Sequence, residues 1–142
     1  MNDKWFRPPR WLRWLAVAFV AGGIFYASIL DSPGAGLTPL GPLGVFGMDK
    51  WLHAVAYGGL AVTLASALAP RRSPAVAAGL AALLAVGYGV GMEFVQAPLA
   101  ERYFSVADMA ADAVGAGLAV LAWRLGVELV GKLGVVGSEV EA

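Results

Sequence analysis

The sequence predicts an all-α fold: a polytopic membrane bundle of four transmembrane helices with both termini in the cytoplasm. Three observations point there. The 142 residues are 59% hydrophobic and only 14% charged, with a mean hydropathy of +0.71, where soluble domains carry about a quarter charged residues. The apolar residues fall into four runs of the ~20 residues that a spanning helix needs. Lys and Arg gather at alternate ends of those runs, as the positive-inside rule describes.

The first run, "WLRWLAVAFVAGGIFYASIL", covers residues 11–30 and follows a basic N-terminus, residues 1–10. A cleaved signal peptide is the competing reading. The apolar run is longer than a typical signal core and no clear A-x-A site follows, so a retained helix is expected. The Pro/Gly-rich residues 31–47 then break the chain. The second run, "WLHAVAYGGLAVTLASALA", spans 51–69, and "PRRSP" ends it. The third, "PAVAAGLAALLAVGYGVGMEFVQ", spans 74–96 and gives way to "APLAERYFS". The fourth runs from about 106 to 125, so the last three spans lie within residues 31–126. Residues 127–142 read as a cytoplasmic tail with a frayed end.

Basic residues set the orientation. Lys4, Arg7, Arg10 and Arg13 precede or open the first span, Arg71 and Arg72 lie between the second and third, and Arg124 and Lys132 close the fourth. Eight of ten therefore share one side, leaving Lys50 and Arg102 on the other. With zero net charge the chain offers no electrostatic ground for a nucleic-acid partner. Without cysteine it has no disulfides, thiolate metal sites or cysteine nucleophiles.

The remaining polar residues collect at the outer level. Asp49, Lys50 and His53 open the second span, Glu93 and Gln96 end the third, and Arg102, Asp108 and Asp112 lead into the fourth. Asp49, His53 and Tyr57 follow an i, i+4, i+8 stripe, while Asp108, Asp112 and Gly115 stand at i, i+4, i+7. At 1.5 Å per residue, His53 and Asp112 each lie only ~6 Å beyond the first acidic residue of their helix. An ionised group at the bilayer centre costs about 2.5–3.5 kcal/mol on insertion scales, so these groups are expected to face inward and pair. Arg102 with Glu93 or Asp108, and His53 with Asp49 or Glu93, are the expected pairs. Gly87 and Gly91, and the ladder Ala111, Gly115 and Ala119, are the expected close-packing stripes.

Those spaced residues resemble the VanZ-like family of small membrane proteins. The family's first block is matched by Asp49, Lys50, His53 and Tyr57, and its second by Tyr88, Gly89, Glu93 and Gln96. Arg102 follows, then Asp108, Asp112 and Gly115. Order and spacing agree over about residues 48–120. The sequence departs at Asp112, where the family usually has Asn, exchanging a neutral amide for an acceptor able to carry charge. The resemblance implies an integral membrane protein. It implies no settled activity, and the family's association with glycopeptide resistance is not transferred.

Three functional readings are compatible with the residues. In the first, the outward layer recognises or processes an anionic lipid-linked or cell-envelope substrate. Arg102 grips a phosphate or carboxylate, Gln96 and Tyr57 donate hydrogen bonds, and His53 with Glu93 forms the acid–base pair. Asp49, Asp108 and Asp112 complete the ligand-binding set. A metal variant using His53, Asp49, Glu93 and Asp108 lacks any tight ligand spacing, so no metal or other cofactor is expected. The second reading is ion- or proton-coupled transport, against which no ionisable residue lies mid-span. The third is a structural or accessory role, with Lys50 snorkelling and Ser105 capping the fourth helix. Membrane lipids are the expected partners, and a bundle this thin is compatible with homo-oligomers.

Overall fold

The computed structural model describes residues 8–29, 39–98 and 104–140, with side chains described through Leu133. Arg102 and the basic residues Lys4 and Arg7 lie outside the described residues. Four α-helices make the fold: α1 Arg10–Ile29, α2 Met48–Leu68, α3 Pro74–Gln96 and α4 Val106–Val140. All four are long and apolar enough to cross a membrane, and among the described residues there is no strand.

The breakers act where the sequence places them. Proline and the paired arginines turn the chain after α2 through a short 3-10 turn, Ala69–Arg71. Ser73 then caps α3 by accepting from Val76 N–H, with Pro74 at the first helical position, where its missing N–H costs nothing. The end of α4 differs from the expected boundary near residue 125. The helix continues to Val140, because no proline or turn cluster interrupts it. Across the expected end, Arg124 Nε donates to Glu128 Oε1 at 2.7 Å, an i, i+4 pair that favours one more turn of helix. Residues 127–140, read from sequence as tail, are thus helical.

Helix α2 is central and packs against α1, α3 and α4, and α3 also packs on α4. The core is built from small residues. Ala61, Ala65, Ala77, Ala81, Ala85 and Ala116 are fully buried. Large apolar side chains face outward, among them Phe19, Val55, Leu83 and Leu118. A water-soluble bundle would invert this arrangement. In lipid, tails are as apolar as Leu, so helices gain by close backbone approach rather than by hiding large side chains.

Glycines permit the closest approach. A Cβ on Gly115 would overlap the backbone of Ala54, and one on Gly58 would meet Gly115 O at 3.1 Å and Ala119 Cβ at 3.2 Å. The ladder through Gly115 and Ala119 is therefore the α2–α4 seam. Gly87 and Gly91 are exposed, with open space where a side chain would be. Among the described residues, no neighbouring helix packs on that G-x-x-x-G. Only Ile24 of α1 is buried, and hydrogen bonds from α3 help hold α1. Tyr88 Oη donates to Ala21 O at 2.9 Å, and Gln96 Nε2 to Ser28 O at 2.8 Å.

Candidate functional site

Successive helices run in opposite directions, so the end of α1, the start of α2, the end of α3 and the start of α4 meet at one end of the bundle. Contacts between distant residues tie them there. Ser28 bonds Gln96, Lys50 bonds Asp108, and Glu93 bonds Ser105. The described polar residues singled out from the sequence all lie at this end.

Asp112 anchors the site. Its side chain is 2% exposed, and its Oδ1 lies 2.8 Å from His53 Nδ1. Gly89 makes the space: a Cβ there would stand 2.5 Å from Asp112 Oδ2 and 3.1 Å from the Tyr57 ring. The imidazole stacks in parallel on Tyr57, with centroids 6.0 Å apart and planes 8° apart. Tyr88 follows at 6.3 Å from Tyr57. His53 Nε2, on the other edge of the ring, lies 3.9 Å from Asp108 Oδ1, too far for a hydrogen bond. With its side chain 27% exposed, His53 is the partly open member of the pair.

Lys50 organises the outer layer. Its Nζ donates to Asp49 Oδ2 at 2.6 Å and to Asp108 Oδ1, joining α2 to α4. Lys50, expected to snorkel, is held in this two-carboxylate clasp. Both partners remain partly exposed, so its net worth is that of a screened pair. A double-mutant cycle of Lys50→Met and Asp108→Leu, read by unfolding in detergent, is expected to give a coupling of about 1 kcal/mol. Strict additivity would mean the clasp does not hold the helices together.

The expected pairing of His53 with Asp49 or Glu93 is corrected by the geometry. The imidazole is bonded to Asp112, on a different helix from either. Glu93 is 4% exposed and accepts from Ser105 N–H through Oε2 at 2.8 Å. Ser105 Oγ in turn accepts from Asp108 N–H at 3.1 Å, making Ser105 the cap of α4, as expected. Glu93 therefore secures the entry into α4 by satisfying a backbone donor just ahead of the helix. Gln96 is 8% exposed and donates across to α1. Tyr57, 2% exposed, serves as the platform under His53. Arg102, with its expected pairing to Glu93 or Asp108, lies outside the described residues.

Among the described residues, no three His, Asp or Glu side chains come together in an arrangement able to hold a metal ion. The chemistry available is a part-exposed histidine with one nitrogen fixed by a buried carboxylate and the other 3.9 Å from Asp108 Oδ1. In comparisons with known proteins, no family model, no curated protein and no solved structure matches this chain.

Proposed function

We propose that this chain is a VanZ-like integral membrane protein whose polar end faces outward. In this reading it recognises and processes the headgroup of an anionic lipid-linked envelope substrate. The observation that carries the reading is the Asp112–His53 pair. A buried carboxylate on Nδ1 fixes the orientation of the ring and leaves Nε2 3.9 Å from Asp108 Oδ1, beyond hydrogen-bond reach, in a side chain that is 27% exposed. That is the orienter–base relation general acid–base catalysis requires. Glu93 is withdrawn from the acid–base role, since its carboxylate serves the backbone of the α4 entry. His53 is then the proton-handling residue and Asp112 its positioning residue.

The basic residues support the outward orientation. Arg10 and Arg13 at the start of α1, Arg71 and Arg72 after α2, and Arg124 and Lys132 on α4 mark the opposite, cytoplasmic side. At the polar end, Lys50 is occupied by two carboxylates. Arg102 is accordingly assigned the anionic part of the substrate. The structural reading accounts for Lys50, Glu93 and Gln96, each of which fastens one helix end. It gives the His53–Asp112 pair a further fastening of α2 to α4 but does not call for the ring's partial exposure. Transport is disfavoured because, among the described residues, the charged contacts between helices lie at one end of the bundle.

Native mass spectrometry of the full chain, extracted from its own membranes, tests this reading. The wild type is expected to retain a phosphorylated lipid, Arg102→Ala to lose it while remaining folded, and His53→Ala to retain it. A wild type free of phosphorylated lipid, or equal retention in Arg102→Ala, would return the cluster to a fastening role.

A further inference from the structure

Ahead of α2 the chain makes a hairpin, residues 39–47, of sequence "PLGPLGVFG". Leu40 and Gly47 form an antiparallel bridge. Gly41 N–H donates to Phe46 O at 2.7 Å, and Met48 N–H to Pro39 O at 2.8 Å. The tip is a tight turn closed by Gly44 N–H on Gly41 O at 3.0 Å. Leu43 sits in it at φ 67° and ψ 3°, the conformation of the third residue of a type II turn, where glycine or asparagine is usual. Among the described residues no other non-glycine residue has a positive φ. That backbone is strained for leucine because Cβ crowds the following carbonyl. The side chain held there is 88% exposed, and Leu40, Val45 and Phe46 are exposed beside it. A strained position that presents a leucine outward points to a function for the tip.

Composition and level identify its surroundings. No residue of the hairpin has a polar side chain. The turn at the opposite end carries Arg71, Arg72 and Ser73, and the α3–α4 connection at the hairpin's own end carries Glu101, Arg102 and Ser105. Connections that stand in water are built of such residues. The hairpin is also fastened at a fixed depth. Gly41 lies so close to the Trp51 ring that a Cβ would stand 2.1 Å from Cδ1. The indole Nε1 is buried there without a hydrogen-bond partner, so apolar packing seats the loop. Trp51 belongs to the first turn of α2, whose 21 residues extend ~31 Å, close to the ~30 Å hydrocarbon layer. That turn therefore stands at the edge of the layer. Leu43 is two residues from Gly41 and so within ~7 Å of it, about the depth of one headgroup region. Whichever way the tip leans, it stays among headgroups or the outermost part of the acyl chains.

We propose that the hairpin is an interfacial wedge whose Leu40, Leu43, Val45 and Phe46 insert among the lipids of the leaflet at the polar end of the bundle. Interfacial segments bury apolar side chains ~5–10 Å into this boundary. Seated on Trp51 and running directly into Asp49 and Lys50, the wedge sets the depth at which the Lys50–Asp108 clasp and His53 meet the membrane surface. It stands whether or not that cluster processes a substrate.

The chain has no cysteine, so a nitroxide can be placed on one introduced thiol at a time. Val45→Cys and Phe46→Cys report on the hairpin, Val55→Cys on the exposed side of α2, and Arg72→Cys on the polar turn at the opposite end. The full chain is studied in vesicles of phosphatidylethanolamine and phosphatidylglycerol. Collisions with oxygen, which concentrates in the bilayer, are compared with those of a water-soluble nickel chelate. Both hairpin labels are expected to give an oxygen-to-nickel ratio severalfold above that at Arg72→Cys and below that at Val55→Cys. Leu43→Asn spares the turn, since asparagine accepts the left-handed conformation, but makes its tip polar. It is expected to lower the ratio at Phe46→Cys severalfold without lowering the unfolding temperature in detergent. Hairpin ratios equal to that at Arg72→Cys overturn the wedge, because the loop then stands in water. Protection from both oxygen and nickel overturns it in favour of a protein cover, and spin–spin broadening between labels identifies that cover as a second copy of the chain. A ratio unmoved by Leu43→Asn overturns the part assigned to the tip.

Discussion

Gly115→Ala is expected to be the most damaging single methyl addition among the described glycines. The added carbon would run into the backbone of Ala54, within 2.5 Å of its Cα. Backbone cannot rotate aside as a side chain can, so α2 and α4 must separate along the seam that also carries Gly58 and Ala119. Overpacking costs about 1–3 kcal/mol in ordinary cores and more when nothing flexible can yield, so an effect at or above the top of that range is expected. The other glycines grade the result. Gly89→Ala pushes on a carboxylate and a tyrosine ring, Gly58→Ala meets contacts just above 3 Å, and Gly59→Ala meets nothing within 4 Å. Gly59→Ala is expected to be neutral, or to stabilise by up to ~1 kcal/mol through helix propensity. Thermal unfolding of the four variants in one detergent checks the order. If Gly115→Ala is as stable as Gly59→Ala, the helices do not meet at Ala54.

The seam also marks how far the sequence could be read. The four helices were legible because apolar runs of spanning length end in proline, glycine and charge clusters, and those signals act locally. The Ser105 cap was legible for the same reason. Helix α4 outran its expected end because its glycines come without a proline, and glycine alone does not stop a helix held by pairs such as Arg124 and Glu128. Small-residue spacing did not reveal which face it serves. Gly87 and Gly91 repeat the interval that Gly115 and Ala119 use, yet one pair faces outward and the other packs on α2. The level of the polar residues was visible in the spacing, but their partners were not. Whether His53 meets Asp49, Glu93 or Asp112 depends on the rotation of α2 against both α3 and α4. Contacts at Gly58, Gly115 and Gly89, on three helices, fix that rotation together.

The second large effect is expected at His53. On the proposed reading, His53→Ala is expected to lower turnover of the bound lipid substrate by about 10²–10⁴-fold while leaving it bound, the usual contribution of a positioned acid–base group. Substitutions at Asp112 then separate position from charge. Asp112→Asn keeps an oxygen acceptor where Asp112 Oδ1 meets the imidazole, and it installs the residue usual in the VanZ-like pattern. Ring orientation should survive, so any lost turnover measures the charge. Asp112→Leu keeps volume but removes the acceptor, so the ring should lose its fixed orientation and turnover should fall toward that of His53→Ala. His53 is the only histidine in the chain, so nitrogen NMR of the imidazole reports this site without assignment. In the wild type and Asp112→Asn, Nδ1 should carry a slowly exchanging, hydrogen-bonded proton, because an ionised carboxylate or an amide oxygen can only accept. In Asp112→Leu that signal should be lost to exchange. A stability readout would not separate these cases. Removing a buried carboxylate relieves its desolvation cost while depriving His53 of its partner, and the two changes oppose each other. If the imidazole signal is unchanged in Asp112→Leu, the carboxylate does not position the ring. If turnover is indifferent to His53→Ala, the pair fastens α2 to α4 and the acid–base reading falls.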